Sequence, residues 1–474
     1  MNISIKGTTA ILTTVAALLL AGCNVGPKYQ RPQVTAPPAF RGPDENAVSS
    51  APKDSLGDEQ WSAVFREPEL QELIREALAN NYDLRVAAQR VLEAASQIRI
   101  TRAAGLPTLS VGGTGIGADL PSSFGGSSLG LDNPLALGSF NLSAAWTPDF
   151  WGLYRKQTEA ARDQMLAQSW AQRAVRMTLV GQVATSYFTL RSLDQQLEVA
   201  KQTLKARQDS VDLTNKLERG GSAPLSDVRQ AEQLLYTASA QIPILEEQIQ
   251  QQENAMRLLL GKDPGPVAHT DPSALSPVPQ DLPVGLPSQL LERRPDIQQA
   301  EAQLKAANAQ VGVAKAQFFP QLTISASAGV GGNSWSNIFD PDGKTIYGLG
   351  TLAQPIFEGG KLRGQYDLSK QQKEEMILTY QKTILTAFHD VSNSLIAVNK
   401  QRATRVEQQK LVFAAQDATR LARIRYEAGS TGYLEVLTTD TNLFNAQLNF
   451  INAEQSEALS LVQLYQALGG GWQQ

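Results

Sequence analysis

The 474-residue chain has an ordinary globular composition, with 42% hydrophobic residues, 19% charged residues and a formal net charge of −4. This slightly acidic balance lacks the basic footprint of a nucleic-acid-binding protein. Only two histidines, His269 and His389, are present, so a histidine-based zinc site or a catalytic triad is not expected. The chain is predicted not to be an enzyme and to hold no metal and no cofactor.

The N-terminus is typical of a secretory signal that ends in a lipoprotein box. A positive start and an apolar run precede the sequence LAGC, whose Cys23 is the only cysteine of the chain. Residues 1–22 are predicted to be removed, and Cys23 then carries diacylglycerol on its sulfur and an acyl chain on its amino group. Several acyl chains on one residue anchor a protein stably, where a single chain does not. A signal-like helix with an incidental thiol is the alternative.

Residues 23–65 follow as a lipidated N-terminal tether. Asn24 stands where bacterial lipoproteins held at the inner membrane usually carry aspartate, so the predicted location is the outer membrane, with the body in the periplasm. Gly26 to Ser50 is rich in proline and has no helical or strand period. This composition predicts an extended segment draped over the folded body.

The next segment alternates between helical and strand-like patterns. A helical period runs from Glu67 to about Arg102, and Asn80-Asn81 interrupts it. Residues 106–117 and 139–151 have the period of two that is typical of strands.

A second pair of strand-like segments occupies residues 320–332 and 346–357. One face is apolar and the other is small and polar, as in strands between lipid and a wet lumen. A soluble sandwich shows the same alternation. Aromatic residues near the strand ends favour lipid: Trp146, Phe150, Trp151, Trp335, Tyr347 and Phe357.

Four strands cannot close a barrel, and lipid penalises each unpaired edge group by several kcal/mol. Spanning strands must therefore be completed by other chains. Three chains with four strands each give twelve, which leaves room for a passage. The predicted fold is α+β, a trimeric outer membrane β-barrel continued by a long α-helical periplasmic barrel.

A very long helix follows each strand pair. Gly152 to Leu217 contains no proline, and its return partner runs from Ser226 to Leu260. Apolar residues recur at alternating spacings of three and four, with Arg207 filling one slot. This pattern predicts packed antiparallel coils with two wet faces, as in the wall of a tube. After the signal, no run approaches the roughly 18 apolar residues of a membrane-spanning helix.

Most of the chain is a duplication, which fixes its architecture. Leu217–Leu235 resembles Arg425–Phe444 at an offset of 208, so one helix–turn–helix occurs twice. The predicted domains are repeat 1 at 66–261, a Pro-rich joint at 262–287 and repeat 2 at 288–474. Each repeat contains a helix, two strands and a long helical hairpin.

The matched turns are candidate docking tips, formed by Gly220, Gly221, Ser222, Gly429, Ser430 and Gly432. Their glycines are also explained by the positive φ of a helix stop. The nearby acids are either solvated helix faces or, repeated by three-fold symmetry, a ring that binds cations. These acids are Asp227, Glu232, Glu435 and Asp440. Arg423 and Arg425 are candidate partners for them, although surface ion pairs are individually weak.

Several motifs resemble the TolC-type outer membrane efflux family, in its lipoprotein branch associated with resistance-nodulation-division pumps. The motifs are the lipobox followed by GPKYQRP, the doubled strand pairs, YEAGSTGYLEVL and the terminal YQALGGGW. The resemblance implies a homotrimer, a passive conduit for exporting drugs or other small toxic compounds from the periplasm. It also implies docking to a periplasmic adaptor protein and to an inner membrane transporter.

The same resemblance implies a periplasmic gate at the helix tips. By motif, the gate positions are Tyr426, Leu434 and Glu435. The family's frequent aspartate falls on Thr438, and this chain has Asp440 instead, so either the constriction is less charged or Asp440 replaces that acid.

Two other classes of protein stay open as alternatives. A periplasmic adaptor predicts one hairpin within soluble β domains, and here two hairpins and two strand pairs argue against it. A structural lipoprotein with coiled-coil hairpins explains the helices but not the strands.

Overall fold

The computed structural model describes residues 25–41, 55–118, 135–268, 283–332 and 340–472. The signal at 1–22, Cys23 and the aromatic Trp335 lie outside the described residues, as do parts of the tether and of the joint. In chain order the helices and strands are a 3₁₀ helix Leu56–Asp58, α1 Trp61–Val64, α2 Pro68–Asn80, α3 Tyr82–Ala103, β1 Thr108–Ala118, β2 Leu135–Trp146, α4 Leu153–Arg219, α5 Leu225–Leu259, α6 Pro287–Arg293, α7 Pro295–Ala316, β3 Gln321–Gly332, a 3₁₀ helix Pro341–Gly343, β4 Lys344–Ala353, α8 Lys361–Glu427 and α9 Tyr433–Ala467.

The break between α2 and α3 lies at the asparagine pair, as predicted. Asn81 Oδ1 accepts a hydrogen bond from the Leu84 N–H at 3.0 Å, which caps the start of α3. Its Nδ2 donates to the Leu259 carbonyl at 3.0 Å. Asn81 thus satisfies an otherwise unpaired N–H at the start of α3 and also binds the C-terminal end of α5. Leu56–Asp58 and Trp61–Val64, within the range assigned to the tether, are already helical.

The four strands form one antiparallel sheet in the order β1-β2-β3-β4. The central β2–β3 pairing joins the two repeats, for example at Phe140 and Val330. Among the described residues the four strands form this single sheet, whereas a soluble sandwich packs two sheets face to face. Apolar side chains on the edge strands, such as Val111 and Ile346, are instead largely exposed.

The predicted strands at 139–151 and 346–357 were too long at their C-terminal ends. β2 ends at Trp146 and β4 at Ala353, each two residues before a proline, Pro148 or Pro355. Proline has no N–H for the ladder, so the chain leaves the sheet there. β2 also begins earlier than the predicted start at residue 139, at Leu135.

The duplication is visible in the lengths of the helices. Both α4 and α8 have 67 residues, both α5 and α9 have 35, and both α3 and α7 have 22. α5 continues through Pro243, which cannot donate to the carbonyl of Ser239. Ser239 is exposed, so water can satisfy that carbonyl.

The chain divides into two compact units. Unit one comprises the described parts of Met1–Gln33, Arg90–Gln168 and Ala300–Tyr380, and unit two the described parts of Val34–Gln89, Ser169–Gln299 and Gln381–Gln474. Fully buried side chains form the core of unit two, among them Leu70, Ile74, Tyr187, Leu290 and Tyr465. None of the helices described here combines the length and apolarity that crossing a membrane requires.

In unit one, residues 25–33 form a strap that lies along α7. The Asn308 side chain donates to the Pro27 carbonyl at 3.1 Å, and Tyr29 and Arg31 both reach Glu301. A Cβ on Gly26 would stand 2.9 Å from the Gly312 Cα, so this pair of glycines permits close approach of the two backbones. The extended segment predicted after Cys23 is therefore packed against the body over these residues.

Candidate functional site

The two matched turns have the same backbone geometry. Gly221 and Gly429 have φ of +72° and +68°. The Ser222 N–H donates to the Leu217 carbonyl at 2.8 Å, and the Ser430 N–H to the Arg425 carbonyl at 2.9 Å. These six-to-one bonds are those of a Schellman motif, which satisfies helix-end carbonyls and needs glycine in the left-handed position. The positive φ predicted for the turns is confirmed.

A small apolar cluster supports the tips from behind. It consists of Val211, Ala231, Ala422, Tyr433 and Val436, with Tyr426, Leu235 and Leu437 packed against it. The rings of Tyr426 and Tyr433 meet edge to face, with centroids 5.3 Å apart. The pKa of Tyr433 is raised to about 12, mainly because the phenol is buried and secondly because the Asp440 carboxylate is near.

Tyr426 lies at the junction of the two hairpins. The pKa of Tyr426 is raised, mainly because the phenol is buried and secondly because the Asp227 carboxylate of α5 is adjacent. The predicted gate tyrosine therefore faces the first hairpin of its own chain, since α5 belongs to repeat 1 and Tyr426 closes α8 of repeat 2.

Of the predicted gate residues beyond the second turn, Leu434 and Thr438 are exposed and Glu435 is half-buried. Leu434 is 65% exposed, and Thr438 is also exposed, its hydroxyl donating to the Leu434 carbonyl at 2.8 Å. Arg425 donates to Glu435 at 2.7 Å, as its candidate pairing predicted. Thr431 donates to the other carboxylate oxygen of Glu435. The tip thus presents an apolar and a charged side chain together.

Asp440 is placed differently, inside unit two. Its side chain is 9% exposed and is bound by two arginines. Arg207 Nε donates to Oδ2 at 2.9 Å, and Arg423 Nη2 donates to Oδ1 at 2.9 Å. The predicted pairing of Arg423 with an acid is confirmed, whereas the part played by Arg207 was not predicted. The sequence did contain a signal for this role. Arg207 occupies a position where the helical pattern calls for an apolar residue, and a charged side chain buried there needs a partner of opposite charge.

Among the described residues, no group of three or more histidine, cysteine or acidic side chains is placed to hold a metal ion. The site consists of turns, exposed tip side chains and ion pairs. Such a site can bind a partner or narrow a passage.

A duplicated strand pair followed by a long helical hairpin defines the class of outer membrane channels with a helical periplasmic extension. The outer membrane efflux protein family matches residues 73–262 and 286–470, and the chain belongs to this family. It is therefore an outer membrane efflux protein that extends into the periplasm.

Individual proteins of this kind align over nearly the whole chain. The toluene efflux pump outer membrane protein TtgC of Pseudomonas putida is 36% identical over 97% of this chain and 94% of its own length. The cation efflux system protein CusC of Escherichia coli is 33% identical over 98% and 99%.

A solved structure has the same fold. The open state of the MtrE outer membrane channel of Neisseria gonorrhoeae superposes with a TM-score of 0.81 at 28% identity, covering 95% of this chain and 99% of that one. These matches decide for an efflux channel over the adaptor and over the structural lipoprotein.

Proposed function

We propose that three copies of this chain form a passive conduit through the outer membrane, in which each chain supplies four strands to a twelve-stranded barrel. The supporting observation is the sheet, whose edges β1 and β4 have no partner among the described strands. Each unpaired edge group in lipid costs several kcal/mol, so the edges must be covered. The β2–β3 pairing already joins one repeat to the next, and β4 of one chain can meet β1 of another in the same way.

The conduit works, in this proposal, with a periplasmic adaptor protein and an inner membrane transporter of the resistance-nodulation-division type. The adaptor docks on the two glycine turns, Gly220 to Ser222 and Gly429 to Gly432. Their support is geometric: a Cβ built on Gly221, Gly429 or Gly432 meets no atom within 4 Å, so the turns are blunt and accessible.

The cargo is selected by the transporter and not by this chain. TtgC and CusC are about equally similar to it, at 36% and 33% identity, yet their names specify toluene and cations. One channel architecture thus accompanies chemically unrelated cargo. Drugs and other small toxic compounds are the proposed class for this chain.

Lipid on Cys23 adds a second attachment to the outer membrane in this proposal. The lipobox motivates it, and the strap supports it, because Val25 N–H donates to the Trp151 carbonyl at 3.4 Å. Trp151 stacks on Phe319 with ring centroids 4.9 Å apart, near the ends of β2 and β3. Val25 therefore lies close to where the sheet begins, which supports the proposal that an acylated residue two positions earlier reaches lipid.

A gate at the tips completes the proposal, with Tyr426, Leu434, Glu435 and Thr438 at the narrowing and Asp440 holding the hairpins behind them. Arg425 lies in the last turn of α8 and Glu435 in the first turn of α9, so their ion pair is within one hairpin. The two side chains are 55% and 36% exposed. The pair fixes the Glu435 carboxylate at the tip, where each exposed contact to a neighbouring hairpin contributes roughly 0.2–1 kcal/mol. Few substitutions should then loosen the closed state.

The test is reconstitution of the purified protein. Mass measurement in mild detergent should give three copies per particle, and planar bilayers in potassium chloride should record a small resting conductance. Glu435→Ala should increase the time spent open several-fold. The control is Glu407→Ala, which removes a more exposed acid that pairs with Lys410 on its own helix. A conducting monomer would refute the shared barrel, and equal conductance of the two variants would refute the gate.

A further inference from the structure

A large polar cavity lies within unit one. Its volume is about 1260 Å³, and it is lined by those parts of α3, α4, α7 and α8 that belong to this unit. Glutamine is the most frequent residue of the lining, and alanine is the second. The lining residues that carry a charge are Arg90, Glu93 and Glu375. The surface is thus built chiefly from uncharged side chains.

The duplication repeats the amides of this cavity but not its charges. An offset of 213 relates Gln97 on α3 to Gln310 on α7. The offset of 208 relates Gln164 on α4 to Gln372 on α8. We name these four residues the amide lining, since all of them line the cavity and are exposed. The charged residues have uncharged counterparts: Gln303 for Arg90, Ala306 for Glu93 and Ala167 for Glu375.

The cavity lies on the side of α7 opposite to the strap. Glu301 and Asn308 bind the strap and share one side of the helix, because residues seven apart are nearly eclipsed. At about 100° per residue, Gln303 and Gln310 are turned by about 180–200° from Glu301. The strap leads back to Cys23, whose proposed lipid lies in the membrane around the barrel, so the strap runs along the outside of the tube. Gln303 and Gln310 then face its inside.

The chemistry of the lining bears on which cargo can pass. An amide side chain carries donors and an acceptor but no charge. Rings of charged side chains make a passage selective for ions of one sign, whereas a wall of amides offers hydrogen bonds to cargo of either sign. Arg90 and Glu93 lie one turn apart on α3 and have opposite charges, so their fields largely cancel at a distance. The electrostatic bias of the whole surface is therefore small.

We propose that the amide lining faces the passage and makes this section of it indifferent to the charge of the cargo. The inference rests on the proposed trimeric conduit and adds the residues that the cargo meets there. In a trimer, each matched amide stands in both repeats of every chain, and each charge in only one. The class of cargo that this section accepts is small polar or amphipathic compounds, whether anionic, cationic or neutral.

A pair of cysteine variants on α8 tests which face lines the passage. Gln372 and Glu374 are both exposed and point about 200° apart. The trimers of Gln372→Cys and Glu374→Cys are labelled with a biotin maleimide on a short linker and mixed with streptavidin, which is too wide to enter the passage. The native Glu374→Cys trimer should capture streptavidin, and Gln372→Cys should capture it only after denaturation. The parent, whose only cysteine is Cys23, gives the background.

Charged thiol reagents test the indifference to charge. Gln310→Cys is treated with a cationic (trimethylammonium) or an anionic (sulfonate) methanethiosulfonate in low salt. Each rate is divided by the rate of the same reagent with free 2-mercaptoethanol. The two corrected rates should agree within about twofold. The control adds Ala307→Glu, which places an acid one turn away in the same lining. This acid should favour the cationic reagent by on the order of fivefold.

The outcomes separate this inference from the proposed conduit. Equal or reversed capture of streptavidin by the two α8 variants would overturn the assignment of the faces. A preference for one reagent in Gln310→Cys as large as in the Ala307→Glu control would overturn the indifference to charge. Mass measurement of the same preparations identifies the level of failure. A trimer with either result refutes the amide lining alone, whereas a particle of one chain refutes the proposed conduit and this inference with it.

Discussion

Glu301 is the residue that latches the strap, and its replacement by glutamine gives the sharpest test of how the N-terminus is held. Its side chain is 9% exposed and receives Arg31 at 2.9 Å, Lys305 at 3.1 Å and the Tyr29 hydroxyl at 3.3 Å. Burial and the Glu301 carboxylate together raise the pKa of Tyr29 well above its usual range. One buried acid thus collects three donors, two of them from the strap.

The cost of Glu301→Gln can be bounded from these exposures. Breaking a fully buried pair costs about 3–5 kcal/mol. Here the arginine and lysine partners are 42% and 35% exposed and can turn to water, so we expect about 1–3 kcal/mol. This loss falls on the strap, because Arg31 retains only its 3.1 Å bond to the Tyr380 hydroxyl.

Trypsin measures the release of the strap. Lys28 is the useful site, since Arg31 precedes Pro32, where trypsin does not cut. Cleavage follows the population of the released form when release is fast. A loss of 1–3 kcal/mol predicts cleavage after Lys28 that is about 5 to 150 times faster.

Glu358→Gln is the control, because it weakens an exposed pair with Lys361 in the same unit. Equal cleavage rates in Glu301→Gln and Glu358→Gln, with the fold intact by circular dichroism, would show that Glu301 does not hold the strap.

Two further substitutions test the anchor and the packing. Cys23→Ser should abolish incorporation of labelled fatty acid and leave an unprocessed precursor; unchanged labelling would disprove the lipoprotein assignment. Gly57→Ala should destabilise unit two by about 1–3 kcal/mol in thermal melting, because the new Cβ would stand 2.5 Å from the backbone oxygen of Leu468. Gly181→Ala should cost less than about 1 kcal/mol, since the atoms nearest to its new Cβ belong to the amide end of Gln466, a flexible side chain. Equal melting losses for the two alanines would contradict this reasoning.

Much of the fold could be predicted from the sequence because its patterns are local or repeated. The offset of 208 between the helical hairpins predicted equal elements, and α4 and α8 are indeed of equal length. The asparagine pair predicted the break at Asn81. The strand ends were less predictable, since alternation continues past Trp146 while the hydrogen bonding stops at the proline that follows.

The candidate site was predictable in kind but not in geometry. Turn glycines and nearby acids could be identified from the repeat, and so could Arg423 and Arg425 as partners. Whether Asp440 faces a passage or a neighbouring helix depends on how two hairpins pack, which periodicity within one helix does not specify. Arg207 was visible as an exception in an apolar slot, but its partner lies 233 residues away in the chain.

The equal lengths of the paired helices have a consequence for how such a chain can change over time. Each added residue turns the rest of a helix by about 100°. A single insertion in α4 before Arg207 would therefore point the arginine away from Asp440. Every later residue of α4 that faces the second hairpin would turn away with it. Length changes should survive only when they arise in all the facing helices together, or as whole turns, so natural variation in length should concentrate in the loops between strands.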